Sequence, residues 1–350
     1  MRVCERLPQG IDAALVDDEK NRQYLTGVRS SAGTVVVTRE ETYLIIDFRY
    51  IEMAWAAARD CQVLLQDKLY AQIGELFARH GVRSYGVVDS LCSLSKARGW
   101  MEKLPARLVD GSGFEEVLGG LRMRKSAAEL AKIKAAQALT DEGFRHILGH
   151  IAPGKTEREI ALEMEFFIRR QGAQGVSFDF IVVGGQNSSK PHGVPGDYVL
   201  QAGDFLTMDF GCTVDGYCSD MTRTVALGKV SEKQRQIYDI VLQANEIGIA
   251  AARAGAVCEE VDRASRDYIA SFGYGAQFGH GLGHGVGLDI HEEPRFSPGC
   301  KTALEEGMVI TVEPGIYLPG EFGVRIEDMV VITPQGTEDI TRSPKELILL

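Results

Sequence analysis

No stretch of this chain approaches the ~18 uninterrupted apolar residues that a membrane-spanning helix needs, which excludes a spanning protein. A signal peptide is missing too. Residues 1–10 are charged, and Pro8 and Gly10 come too early for an apolar core. The seven cysteines are odd in number and lack CxxC spacing, so they are read as reduced thiols of a cytoplasmic protein. Basic residues are in deficit, 38 Lys and Arg against 49 Asp and Glu. The net charge of −11 would repel the phosphates of a nucleic-acid partner.

What remains is an ordinary soluble composition, 45% apolar and 25% charged, over 350 residues, enough for two domains with their own cores. Up to about residue 120, short apolar runs alternate with helical stretches. Residues 13–16, 33–38, 43–47, 85–88 and 106–109 read as strands, and 50–59 and 68–80 as helices. These features predict an α/β domain with a mixed sheet over residues 1–122. The charged segment from Arg122 to Ser126 marks the boundary, and residues 123–350 form the second domain, making the whole α+β.

That second domain contains a duplication. Gly203, Thr207, Asp209 and Gly211 recur 104 positions on as Gly307, Thr311, Glu313 and Gly315. Gly154, Glu159, Ile160, Phe167, Ile168 and Gly172 likewise match Gly255, Glu260, Val261, Tyr268, Ile269 and Gly273. Thr156 and Glu159 form a capping box opening a helix. Each half reads as a helix pair followed by antiparallel strands, and an approximate internal two-fold would bring both halves to one cleft.

Asp215-Gly216 is a two-residue hairpin turn, so Asp209 should pair with Thr222. Alternation then points Asp209, Asp220 and Cys218 to one face and Leu206, Met208 and Phe210 to the other. Cys212 and Cys218 face opposite sides and make poor disulfide partners. In the second copy Ile310, Val312 and Pro314 turn inward while Thr311 and Glu313 face the cleft. A loop centred on Glu321 puts Glu327 on the cleft face as well. A lone acidic strand residue is usually just solvated. An acid kept at the equivalent place in both copies points instead to a shared cage for divalent metal, because bunched carboxylates repel unless protonated or cation-bound.

Residues 279–287 have glycine at every odd position. So many glycines disfavour a helix and its H-x-x-x-H zinc motif. An extended strand would place His280, Leu282, His284 and Val286 on one face, opposite bare backbone that a neighbouring chain or ligand approaches. His291 follows closely, and His192 sits in a turn-rich loop fit to line a cleft. His80 and the helical pair His146 and His150 are read as structural.

Together, Ser177 to Gly184, Pro191 to Gly193, Asp209 to Thr224, Gly283 to Pro294, Val312 to Gly315 and Val324 to Asp328 resemble the motifs of the pita-bread metallopeptidases. The branch is that of Xaa-Pro aminopeptidase and Xaa-Pro dipeptidase (prolidase). Residues 21–27 and 47–50 look like its creatinase-like N-terminal domain. The resemblance implies five metal ligands, Asp209, Asp220, His284, Glu313 and Glu327, with Asp220 and Glu327 bridging two ions. It also implies substrate-binding and proton-handling positions at His192 and His291, with His280 and Arg325 lining the site. All five ligand positions are intact, unlike those of metal-free creatinase.

The oxygen-rich donor set favours Mn²⁺, accommodates Co²⁺ or Zn²⁺, and rules out a thiolate zinc site. The expected reaction is attack by a metal-held hydroxide on the carbonyl preceding proline, with Glu313 managing the water proton. The expected substrates are short proline-containing peptides, cleaved by a cytoplasmic homodimer. Aminopeptidase action is the first reading, dipeptidase action the second, and a non-catalytic peptide-binding homologue a remote third. Arg325 would serve the dipeptidase reading by holding a free carboxylate.

Overall fold

Strands rich in valine and isoleucine build the first part of the chain. In a computed structural model describing residues 3–350, the chain separates into two units that divide between Arg122 and Met123. In the first unit, β1 (Ala13–Val16), β2 (Thr34–Thr38), β3 (Thr42–Ile46), β4 (Gln62–Leu65), β5 (Ser84–Val87) and β6 (Arg107–Leu108) form one sheet. Their order is β4-β3-β2-β1-β5-β6. The β1–β2 and β2–β3 pairs are antiparallel, whereas β4, β5 and β6 join in parallel, so the sheet is mixed.

Helices α1 (Glu19–Thr26), α2 (Ile51–Ala57), α3 (Leu69–Arg79), α4 (Leu94–Lys103) and α5 (Phe114–Met123) complete this part of the chain. Alternation splits the central strands between two apolar clusters. Ala14, Val16, Val35 and Leu44 pack with Ala54, Phe114 and Leu118, while Leu15, Val36 and Ile45 pack with Ile73, Phe77 and Trp100. The sequence reading missed β4, an edge strand whose Gln62 and Leu65 are exposed, so that it lacks the apolar run of its neighbours.

The second unit repeats one motif. Its first half runs α6 (Ala127–Ile147), α7 (Glu157–Arg170), β7 (Gly175–Val176), β8 (Ile181–Gly184), β9 (Phe205–Phe210), β10 (Cys212–Val214), β11 (Tyr217–Cys218) and β12 (Met221–Ala226). The second half runs α8 (Glu232–Ala251), α9 (Cys258–Ser271), β13 (Gly283–Gly285), β14 (Glu292–Phe296), β15 (Val309–Val312), β16 (Gly315–Leu318), β17 (Phe322–Arg325), β18 (Asp328–Thr333) and β19 (Gly336–Asp339). Capping boxes open α6 at Ser126–Glu129, α7 at Thr156–Glu159 and α8 at Ser231–Gln234. Each such N-cap contributes about 1 kcal/mol by satisfying amide N–H groups that the helix leaves bare.

Each half has its own core. Leu206, Met208 and Phe210 of β9 pack with Phe144, Met164 and Ile168 of α6 and α7. Ile310 and Val312 of β15 pack with Ile237, Val241 and Val261 of α8 and α9. The entry to the second helix of each pair is also made twice. Gly154 N donates to Leu200 O, and Gly255 N to Leu304 O, both at 2.8 Å. The copies diverge at the cap: Val257 stands where Thr156 does and cannot cap α9. The backbone bonds persist in both: Glu157 N and Arg158 N donate to the carbonyls of Tyr198 and Gly196, and Cys258 N and Glu259 N to those of Thr302 and Cys300. Among the described residues no helix is long and apolar enough to cross a membrane, and no disulfide joins the cysteines.

Candidate metal centre

The Asp215-Gly216 turn forms as the sequence dictates, with both residues at positive φ (49° and 81°), and Val214 pairs with Tyr217 across it. The resulting register sets Asp209 opposite Thr222. Between β9 and β10 the hairpin narrows at Gly211, where a Cβ would come within 1.9 Å of Ser219 O. This pinch leaves Asp220 just outside β12, its N–H directed at Met329 Sδ 3.1 Å away. Cys212 turns to Ala136 O and Cys218 to Leu288 O, at different places in the unit.

In the second half the loop is Pro319-Gly320-Glu321, since Leu318 pairs with Phe322. Its centre is therefore Gly320, at φ 78°, one residue before the expected Glu321. Glu327 still meets the cleft. The two halves are stitched there: Glu327 N donates to Thr222 O (3.1 Å) and Thr222 Oγ1 donates to Glu327 Oε2 (2.7 Å).

The glycine-rich run departs from the expected long strand. Only residues 283–285 are strand, with a register shift after His284. Leu282 enters the second core instead of sharing a face with His280 and His284. Neighbouring backbone explains the glycines: a Cβ on Gly283 would lie 1.9 Å from Thr311 O, and one on Gly285 2.4 Å from Glu293 O. The close approach is by flanking chain on both sides.

These elements surround a cavity of about 790 Å³ lined by Asp209, Asp220, His284, Glu313, Arg325 and Glu327, with His192, His280 and His291 on the same wall. His284 Nε2 is 3.5 Å from Asp220 Oδ2 and 3.4 Å from Glu313 Oε1. Its Nδ1 lies 3.1 Å from Gly285 O and donates there, leaving a lone pair on Nε2. Glu313 Oε1 accepts from Thr311 Oγ1 at 3.2 Å. Asp209 Oδ1 and Asp220 Oδ1 are buried and have no hydrogen-bond partner.

Burial pushes the Glu313 carboxyl up to about 8. Burial, reinforced by neighbouring carboxylates, also raises Asp220 and Glu327. Burial lowers His284 to about 3 and His280 to about 4, and it lowers His291 as well. The acids thus resist carrying their charges together, while the imidazoles stay neutral. A divalent cation fits this set. It would neutralise the carboxylates, take up the orphaned oxygens and accept the His284 lone pair. Asp220, His284 and Glu327 in particular offer donor atoms within 4.8 Å of one another.

Arg325 donates four hydrogen bonds inside the protein, to Asp209, Thr222, Tyr317 and Pro191 O. His280 Nδ1 donates to Gly281 O, so its Nε2 accepts from the Tyr317 hydroxyl at 3.0 Å. Both residues reach the cavity with their polar atoms already engaged. His192 and His291 stand at the exposed edge, the His291 ring 4.4 Å from that of His284.

Sequence reasoning missed Tyr317 and Arg295. Strand parity with Glu313 could have flagged Tyr317. Arg295 lines the cavity because β14 sets it opposite His284, a pairing without a local signal.

The family model for "Metallopeptidase family M24" matches residues 131–334, and that for "Creatinase/Prolidase N-terminal domain" matches residues 8–124. An uncharacterized peptidase of Bacillus subtilis is 41% identical, over 97% of this chain and 96% of its own. A solved structure titled Xaa-Pro dipeptidase from Bacillus anthracis is 40% identical with a TM-score of 0.95, covering 99% of this chain and 98% of that one. An X-Pro aminopeptidase from Thermotoga maritima is 34% identical with a TM-score of 0.92, covering 99% of both chains. An acid-lined cleft built from two copies of one motif, matched over most of the chain, leaves one assignment: the protein belongs to metallopeptidase family M24.

Proposed function

We propose that this M24 hydrolase is a Xaa-Pro exopeptidase using two divalent ions, Mn²⁺ first, held by Asp209, Asp220, His284, Glu313 and Glu327. The observation that carries the reading is the convergence of four carboxylates and the His284 lone pair on one cavity, with Asp209 Oδ1 and Asp220 Oδ1 unpartnered. By the family resemblance Asp220 and Glu327 would be the shared ligands, and both offer donor atoms within 4.8 Å of His284. When bound, the ions supply Lewis acidity and an activated water at neutral pH.

The chain's own residues do the rest. Glu313 takes the water proton. His192 and His291, at the open edge, hold the scissile carbonyl, steady the negative charge that develops on its oxygen, and return a proton to the departing proline nitrogen. Arg325 and Tyr317 hold Asp209 and His280 in place. Proline lacks an N–H and has a fixed φ, so sites that grip an extended backbone accept it poorly. A pocket that grips the ring selects it, and Phe178, Ile181 and Ile290 supply apolar wall for that.

Aminopeptidase action is the first reading, and a cavity of about 790 Å³ is compatible with residues after proline. The dipeptidase reading has its own support in Arg295. This half-buried cation on the cavity wall lies 3.7 Å from Glu293, also acts on the buried Glu313, and is suited to a free carboxylate. Incubating the Mn²⁺-loaded protein with Xaa-Pro and Xaa-Pro-Yaa peptides decides between them. Cleavage of both gives an aminopeptidase, cleavage of Xaa-Pro alone gives a dipeptidase, and cleavage of neither sinks the proposal.

A further inference from the structure

A second cluster of metal-type donors lies outside the active cavity, in the first half of the same unit. His146 is in the last turn of α6, and His150 follows four residues later in the turn beyond it, so both imidazoles project from one side. Glu163 faces them from α7. One donor atom from each residue lies within 4.8 Å of the other two. His146 Nε2 is 2.7 Å, and His150 Nε2 3.8 Å, from the same oxygen, Glu163 Oε1.

The protons decide what this arrangement means. His150 Nδ1 donates to the carbonyl of His146 at 3.1 Å, so in the neutral ring the lone pair sits on Nε2. That lone pair points toward a carboxylate oxygen, a repulsive pairing unless a cation stands between them or the ring takes up a second proton. An ordinary His146–Glu163 ion pair explains the shorter contact, and the His150 ring packs on that of His146 with centroids 4.3 Å apart, which brings both imidazoles to one carboxylate. A backbone carbonyl on Nδ1 with Nε2 presented outward is also how metal-bound imidazoles are oriented. The His146 ring is held by stacking on Phe167, with centroids 3.9 Å apart and planes within 9°. A cation here also gains from the carbonyl end of α6.

We propose that His146, His150 and Glu163 form a second, surface site for a single ion of the Zn²⁺, Ni²⁺ or Cu²⁺ class, tying the end of α6 to α7. Two imidazoles and one carboxylate suit those metals better than Mg²⁺, Ca²⁺ or Mn²⁺. Tetrahedral Zn²⁺ sets its donors roughly 3.3 Å apart, given bonds of about 2.0 Å. To reach that spacing the His146–Glu163 contact opens from 2.7 Å while the half-exposed His150 closes on Glu163 from 3.8 Å. The three protein ligands leave a fourth position open to solvent.

The test uses the full-length protein, loaded with Mn²⁺ and then equilibrated with Zn²⁺, as wild type, His150→Ala and Glu163→Gln. Zn²⁺ that displaces Mn²⁺ in the active cavity does so equally in all three. The site requires wild type to hold one more Zn²⁺ per chain than either variant at the same free Zn²⁺, with binding there weakened by about tenfold or more in the variants. Hydrolysis of a Xaa-Pro peptide by the Mn²⁺-loaded forms stays the same. Cu²⁺ then serves as a spectroscopic probe, with two-nitrogen coordination in wild type reduced to one nitrogen in His150→Ala. Equal Zn²⁺ counts across the three proteins, or a Cu²⁺ signal indifferent to His150→Ala, overturns the site.

Discussion

Arg325 Nη2 lies 2.5 Å from Asp209 Oδ2, and the two side chains come from different copies of the duplicated motif. One carboxylate oxygen is thereby neutralised within the protein, while Asp209 Oδ1 is left for another positive charge. Arg325→Ala strips the partner from a buried carboxylate, a change that costs about 3–5 kcal/mol. Arg325→Lys keeps a charge but loses the planar fork, and should lower kcat/KM by about tenfold or more. Urea unfolding and Xaa-Pro hydrolysis measure the two effects. An unchanged midpoint together with an unchanged rate would show the ion pair to be idle.

Removing a proposed ligand separates metal binding from folding. His284→Ala and Glu313→Ala should abolish turnover and lower bound Mn²⁺ while thermal unfolding stays cooperative. Elemental analysis of the purified variants supplies the count. Full activity in either variant refutes the cage.

His291 makes the opposite case. It stands at the open edge with no proposed ligand role, so His291→Ala should slow turnover far more than it lowers metal content. A protein that emerges without metal would move His291 into the ligand set.

Chelation should remove activity, and Mn²⁺ should restore it. Because the ions bind the folded chain, the metal also stabilises it, by about 2.7 kcal/mol at a free concentration of 100 times Kd. A melting temperature indifferent to Mn²⁺ would argue that the acids hold nothing.

The chelated protein should also show an unusual pH dependence. Glu313 titrates at about 8 when folded and near 4.5 when unfolded, so within that window the folded state retains a proton that the unfolded state has released. Stability therefore falls as pH rises through it, and the raised Asp220 and Glu327 act in the same direction. His284 opposes this: lowered to about 3 when folded, it adds stability with rising pH only up to its unfolded value near 6.5. Between pH 6.5 and 8 the carboxylates act alone. The urea midpoint of the chelated protein should decline there, by up to about 1.4 kcal/mol per pH unit for each group, and Mn²⁺ should remove the decline. A midpoint that climbs over this range in the absence of metal contradicts the account.

What could be read in advance was local. The Asp215-Gly216 turn is encoded by two adjacent residues, and with it came the pairing of Asp209 with Thr222 and the burial of Leu206, Met208 and Phe210. The second hairpin was misjudged by one residue because Pro319, Gly320 and Glu321 all suit a turn. The glycine run was misread as one long strand because what limits it, Thr311 O on one side and Glu293 O on the other, meets it only through tertiary pairing. Arg295 escaped because it acquires its part from a cross-strand pairing with His284 that has no local signal, whereas Tyr317 was legible from strand parity with Glu313 and was overlooked.

The seam between Thr222 and Glu327 carries one more implication. Asp209 and Asp220 belong to the first copy, while His284, Glu313 and Glu327 belong to the second, and Leu350 N returns to clasp Ala226 O. A chain cut in the link between β12 and α8 would yield two fragments, neither of which carries the full set of five proposed donors. Mixed, they would regain function only by docking along that seam, which makes reconstitution from halves a direct gauge of how strongly the two copies hold each other.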